Sequence, residues 1–166
     1  NTKRRKIARE GLVIKVGVLE LQGDFALHHR ALKNIGISSC SVKQRHDLKQ
    51  LDGLIIPGGE STTISLLIDS SDLRNSLIKF GKNKPIMGTC AGLILMAKIV
   101  TDDRVKPLGF INVEIDRNAY GRQIESRQLQ IEYKIGSKNS FTRTTSLIRA
   151  PKITFTGSEV SIIGKY

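Results

Sequence analysis

The sequence predicts an α/β protein: a mainly parallel, open sheet with helices on both faces, extended by antiparallel β structure in the C-terminal part. Three observations carry this. Short aliphatic and β-branched runs alternate with helix-period segments through the first hundred residues, the signature of a parallel sheet covered on both sides. Two of those runs end in glycine-rich turns that lead at once into helices. Beyond Lys106 the helix period fades, and short strand-like runs separated by turns take over.

The elements follow in order. VIKVGVLEL, residues 13–21, reads as a buried strand and is broken by Gln22-Gly23-Asp24. Phe25, Leu27, Ala31, Leu32 and Ile35 recur at helical spacing, and Gly36 offers a C-terminal cap. A short strand is expected near Ser38–Lys43, and another at DGLII, residues 52–56, stopped by Pro57-Gly58-Gly59. Ser61 or Thr62 can cap a helix running to Asp69, and Asp72 a second ending at Phe80-Gly81. Pro85 to Thr89 is a short strand. AGLILMAKIV, residues 91–100, reads as a buried helix. After it GFINVEI, LQIEYKI, TSLIRA and VSIIG read as strands, in an antiparallel extension or edge hairpin.

Composition narrows the class. A chain of 166 residues fits one domain at about 100–200 residues each. No apolar run approaches the roughly 18 residues that span a bilayer, and the start is polar and basic rather than a secretory signal. Two cysteines, Cys40 and Cys90, make no disulfide framework, so a reducing cytoplasm is expected. No Cys/His cluster suggests a metal. The net charge of +12 is the unusual number. Lys3, Arg4, Arg5, Lys6 and Arg9 crowd the first ten residues, and residues 1–12 read as a basic disordered tail. No nucleic-acid-binding signature accompanies the charge, so a nucleic-acid partner is not expected.

Chemistry concentrates in four segments. In Gly88-Thr89-Cys90-Ala91-Gly92 a strand runs into Gly-x-Cys-x-Gly and straight on into a helix, the cysteine version of a nucleophile elbow. The elbow lifts the sulfur to the carboxyl end of the sheet, and the helix start at Ala91 favours thiolate. In Pro57-Gly58-Gly59-Glu60-Ser61-Thr62-Thr63, glycines let backbone amides face a cavity. With the Ala91 amide, those of Gly58 and Gly59 would form an oxyanion hole. Asp116 to Gln123 is a polar loop carrying Arg117, and Leu147 to Pro151 places Arg149 at a strand end. Arginine forks suit carboxylates.

VGVLELQGDF, DGLIIPGGESTT, PIMGTCAGLILMAK, GFINVEIDRNAYGRQ and IRAP, in this order, resemble the glutaminase subunits of pyridoxal 5′-phosphate synthase, a family of class I glutamine amidotransferases with a flavodoxin-like fold. The resemblance runs from about Ile14 to Val160. It implies that Cys90 attacks the side-chain amide of L-glutamine. It implies that Gly59, Glu60, Ser61, Arg117, Ile148 and Arg149 contact the substrate, and that Gln22 lies near the site. It implies that the ammonia passes to a synthase subunit in a hetero-oligomer, with no cofactor in the glutaminase itself. Ser126-Arg127-Gln128 stands where the family continues Ser-Phe-Glu.

A cysteine nucleophile also needs a base and a carboxylate to orient it. The family takes both from a late His-Pro-Glu motif, which does not occur up to Tyr166. The three histidines, His28, His29 and His46, lie in the first third and are expected to face solvent or a partner. The expectation is therefore a single glutaminase domain over 13–166 that lacks its C-terminal end and, as it stands, does not turn over glutamine at a useful rate. The alternative is a catalytically silent relative serving as an interaction subunit.

Overall fold

The structure, a computed structural model, describes residues 13–117, 127–135, 139–147 and 151–165. The basic tail therefore lies outside the described residues, as do Ile148, Arg149 and the loop from Asn118 to Ser126. Four short strands, β1 (Lys15–Leu19), β2 (Ser38–Val42), β3 (Gly53–Ile56) and β4 (Ile86–Gly88), form one sheet in the order β2-β1-β3-β4. Every pairing in it is parallel. This is the strand order of flavodoxin-like sheets, whose ligands bind beyond the carboxyl ends of the strands.

The period-2 pattern of the strands explains why helices lie on both faces. Leu54 and Ile56 of β3 point into one apolar cluster with Leu19, while Ile55 points into another with Val18. Helix α1 (Phe25–Asn34) covers the second face through Leu32. Helices α2 (Ser61–Ser70), α3 (Arg74–Gly81) and α4 (Ala91–Met96) cover the first through Ile64, Ile68, Leu77, Ile94 and Leu95. Fully burying an aliphatic side chain of this size stabilises by about 1.5–3 kcal/mol.

The larger cluster continues into a second sheet. β5 (Ala97–Val100) runs parallel to β6 (Ile111–Asp116), which pairs antiparallel with β9 (Lys152–Thr156). Val113 and Ile115 of β6 join the same core as Leu95 and Ile68. A hairpin of β7 (Arg127–Ile135) and β8 (Asn139–Leu147), flanked by β10 (Gly164–Lys165), forms a third, antiparallel sheet.

Several expected boundaries move. The helix expected over 91–100 ends at Met96, because Ala97 takes an extended conformation, φ −58° and ψ 157°, and Ala97–Val100 become β5. Of the run at 145–150, Thr145 to Leu147 form the end of β8, most of which is the polar stretch NSFTRTT, and 148–150 lie outside the described residues. VSIIG contributes only Gly164 to a strand. KITFT, not expected as a strand, is β9. Asp72 does not cap α3; it stands at φ +52° one residue earlier, and Leu73 occupies the N-cap position without a side-chain bond. Among the described residues no helix is long and apolar enough to cross a membrane.

Candidate active site

Three turns leave the carboxyl ends of β1, β3 and β4 and converge. The last carries Cys90, whose backbone sits at φ +48° and ψ −108°, a region that non-glycine residues rarely adopt. The flanking glycines are required by close approach. A Cβ at Gly92 would collide with the Ile56 carbonyl oxygen, and one at Gly88 would lie 2.6 Å from the Gly92 carbonyl carbon and the Met96 sulfur. Thr89 N donates to Ile56 O at 3.1 Å and Gly92 N to Thr89 O at 2.8 Å, which fixes the turn. Cys90 is exposed, as a nucleophile must be, whereas Cys40 is half-buried in β2.

The second turn lies against the first: a Cβ built on Gly58 would be 3.4 Å from the Cys90 Cβ. The Gly58 carbonyl accepts from Asp24 N at 3.0 Å. Across a trans peptide the N–H of the next residue points the opposite way, so the Gly59 N–H faces away from the Gln22–Asp24 turn. Gln22 Oε1 in turn accepts from Glu60 N at 2.9 Å. Of the expected oxyanion donors, Gly58 and Gly59 thus lie in the turn beside the nucleophile and Ala91 begins its helix.

Glu60, rather than Ser61 or Thr62, is the N-cap of α2. Its carboxylate accepts from Thr62 N at 3.2 Å, Thr63 N at 2.6 Å and Thr63 Oγ1 at 2.8 Å. Partial burial opposes the charge, but the Thr63 and Thr62 bonds and Arg117 outweigh it and bring the Glu60 pKa down to about 2. Ser61 is buried at the first position of the helix. Arg117 reaches this cap from the end of β6: Nη1 donates to Thr62 Oγ1 at 2.6 Å and Nη2 to Glu60 Oε1 at 3.1 Å. The bonds to the cap thus engage Nη1 and Nη2, and the guanidinium's five-donor fork matches the geometry of a carboxylate.

The structure also brings in residues that the sequence did not single out. Asp102, in the turn after β5, lies 3.4 Å from Arg117 Nη1. His28 does not face solvent as expected: it is half-buried on α1, with Nε2 3.2 Å from the hydroxyl of Thr89, the residue before Cys90. Burial pushes its pKa below the ordinary histidine value. Its position on the inward side of α1, four residues after Asp24, was the available signal. His29 is likewise half-buried, bonding Glu20 Oε1 at 2.7 Å and Ser39 Oγ at 2.8 Å. His46 is exposed beside Asp47. Among the described residues no group of His, Cys, Asp and Glu has metal-holding geometry.

The chain is similar to known proteins. The pyridoxal 5′-phosphate synthase subunit PdxT of Solibacter usitatus is 51% identical over 117 residues, which is 70% of this chain and 61% of that protein. The subunit of the same name from Shouchella clausii is 44% identical over 154 residues, 92% of this chain and 77% of that protein. The chain thus spans less than two thirds of the first relative and about three quarters of the second. A crystal structure of a glutamine amidotransferase, 37% identical, superposes with a TM-score of 0.79 over 91% of this chain and 79% of its own. PurLQS from Thermotoga maritima, 13% identical, shares the fold with a TM-score of 0.70 over 93% of this chain and 75% of its own. The model of the SNO glutamine amidotransferase family matches residues 18–164, from the middle of β1 through all three turns of the site. On that span and those identities, the chain belongs to the SNO glutamine amidotransferase family.

Proposed function

We propose that this chain is a glutaminase subunit of pyridoxal 5′-phosphate synthase, releasing ammonia from L-glutamine for vitamin B6 synthesis. The observation that carries the reading is the strained, exposed Cys90 on its glycine-flanked elbow, in contact with the Gly58 turn. The sulfur adds to the side-chain carbonyl carbon, and the oxyanion meets the amides of Gly58, Gly59 and Ala91. The C–N bond breaks, the thiol proton leaves with ammonia, and a thioester remains. Water then adds, the C–S bond breaks, and glutamate departs. Arg117 holds the α-carboxylate, with Gly59, Glu60 and Ser61 along the same side, and the family resemblance adds Ile148 and Arg149 as substrate contacts. The base is the imidazole of the His-Pro-Glu motif that the family supplies. The ammonia is handed to the synthase subunit within a hetero-oligomer, and the free thiols of Cys40 and Cys90 support a cytoplasmic setting.

The test is ammonia release in the presence of the synthase subunit. It compares the 166-residue chain with a chimera carrying the His-Pro-Glu end of a relative. Proton transfer by a positioned side chain contributes roughly 10²–10⁴-fold. Activity should appear in the chimera and vanish on Cys90→Ser, with the 166-residue chain far below it. A chimera that docks the synthase subunit yet stays silent would favour the interaction-subunit reading.

A further inference from the structure

Asp102 is a charged residue with little reason to be buried unless it has a task. Its side chain is only 5% exposed, and an isolated buried carboxylate is costly. Two arginines hold it. Arg104, two residues on, donates Nε to Oδ1 at 2.9 Å, Nη2 to Oδ2 at 2.7 Å and its backbone N to Oδ1 at 3.1 Å. Arg117, from the end of a different strand, lies 3.4 Å from Oδ2 through Nη1. The Arg104 bonds are local and fix the carboxylate on its turn, since the residues are two apart and the Arg104 side chain is itself 65% exposed. The Arg117 contact is the one that reaches across the fold.

Arg117 is correspondingly constrained. Thr62 and Asp102 meet Nη1 and Glu60 meets Nη2, so the guanidinium is pinned along its outer edge. Its side chain is 18% exposed, which leaves little room for other rotamers. An arginine side chain otherwise samples many rotamers, and a ligand that must order it binds correspondingly more weakly.

We propose that Asp102 is a positioning residue for substrate recognition: clamped by Arg104, it holds the Arg117 guanidinium in the orientation that receives the α-carboxylate of glutamine. Asp102 itself touches no substrate in this arrangement. The inference rests on the proposal that Arg117 contacts glutamine. It adds that the turn after β5, outside every segment that carries the family resemblance, tunes affinity. The Arg104 bonds keep Asp102 ionised, with its pKa at about 2, so the clamp is charged throughout the neutral range.

The test separates recognition from thiol chemistry. The full protein is alkylated with a chloroketone analogue of glutamine over a range of concentrations, and in parallel with iodoacetamide, which has no α-amino-acid end. Asp102→Asn should raise the half-saturating concentration of the analogue roughly tenfold, the scale of one lost charge-assisted contact. The limiting rate and the iodoacetamide rate should not change. Arg104→Ala, on a mostly exposed side chain, should shift half-saturation in the same direction by less, and it decides the matter should Asp102→Asn fail to fold. Unchanged half-saturation in the folded variants would overturn the inference. So would a parallel fall in both reagents' limiting rates, which would mark Asp102 as a support of the elbow. Wild-type labelling that never saturates would overturn the glutamine site itself, and the inference with it.

Discussion

Cys90 occupies a backbone conformation that costs on the order of 1–3 kcal/mol and persists only where its surroundings over-determine it. Here they do: Ile94 N bonds the Cys90 carbonyl, Thr89 N bonds Ile56, and the glycine at 92 lets the elbow rest on β3. The carboxylates near it are equally committed. Glu60 and Asp102 titrate in the folded protein at about 2, below their ordinary 4.5 and 3.8. A depressed folded pKa contributes stability that is present above the ordinary value and is lost as pH falls through the folded one. The thermal midpoint should therefore drop as pH is lowered from about 4.5 to about 2, and Glu60→Gln should flatten that drop, as followed by circular dichroism. An unchanged acid profile in Glu60→Gln would show that the cap is not a source of acid sensitivity. Cys90 and the Gly58-Gly59 pair were legible in the sequence because an elbow is a local pattern of spacing. Asp102 and His28 were not. Their partners lie 15 and 61 residues away; nothing near 102 announces its partner, and the only local hint at 28 is its place on the inward side of α1.

At the scale of elements, the three loops of the site are positioned by where β1, β3 and β4 end, and the register of those strands holds them level. Leu54, Ile55 and Ile56 pair with Ile86, Met87 and Gly88, so the PGG turn and the elbow leave the sheet side by side. Replacing Gly92 with Ala puts a methyl into the Ile56 carbonyl and must push α4 off β3. Overpacking of this kind costs roughly 1–3 kcal/mol. The variant should melt lower than wild type and label slowly with the glutamine analogue, both measured on one preparation. Normal stability with normal labelling would mean that the elbow tolerates a side chain there. The parallel half was readable because β1, β3 and β4 are short apolar runs that end at or near a glycine or proline, while the more polar β2, SSCSV, lies between the Gly36 turn and Lys43. The remainder was less so. AGLILMAKIV is apolar throughout and carries no period to mark where α4 becomes β5. β8 is polar and mostly exposed where its side chains are described, so its pairing with β7 rests on the backbone ladder and one stacked pair, Tyr133 and Phe141, which hydrophobic patterning does not record.

At the scale of the whole molecule, the described residues centre on the parallel sheet, with an apolar cluster on each face, one of which runs on beneath β6 of a second sheet, and a working edge where three turns meet. The family match spans that edge and the strands behind it. In the proposed function, that edge recognises glutamine and delivers it to one sulfur. Peptide mapping after alkylation with the chloroketone analogue of glutamine, with and without glutamine as competitor, tests this most directly, because both cysteines of the chain are free and serve as each other's control. The expected result is an adduct on the Cys90 peptide, little on that of half-buried Cys40, and protection of Cys90 by glutamine. Equal or preferential labelling of Cys40, or Cys90 labelling that glutamine does not slow, would contradict it.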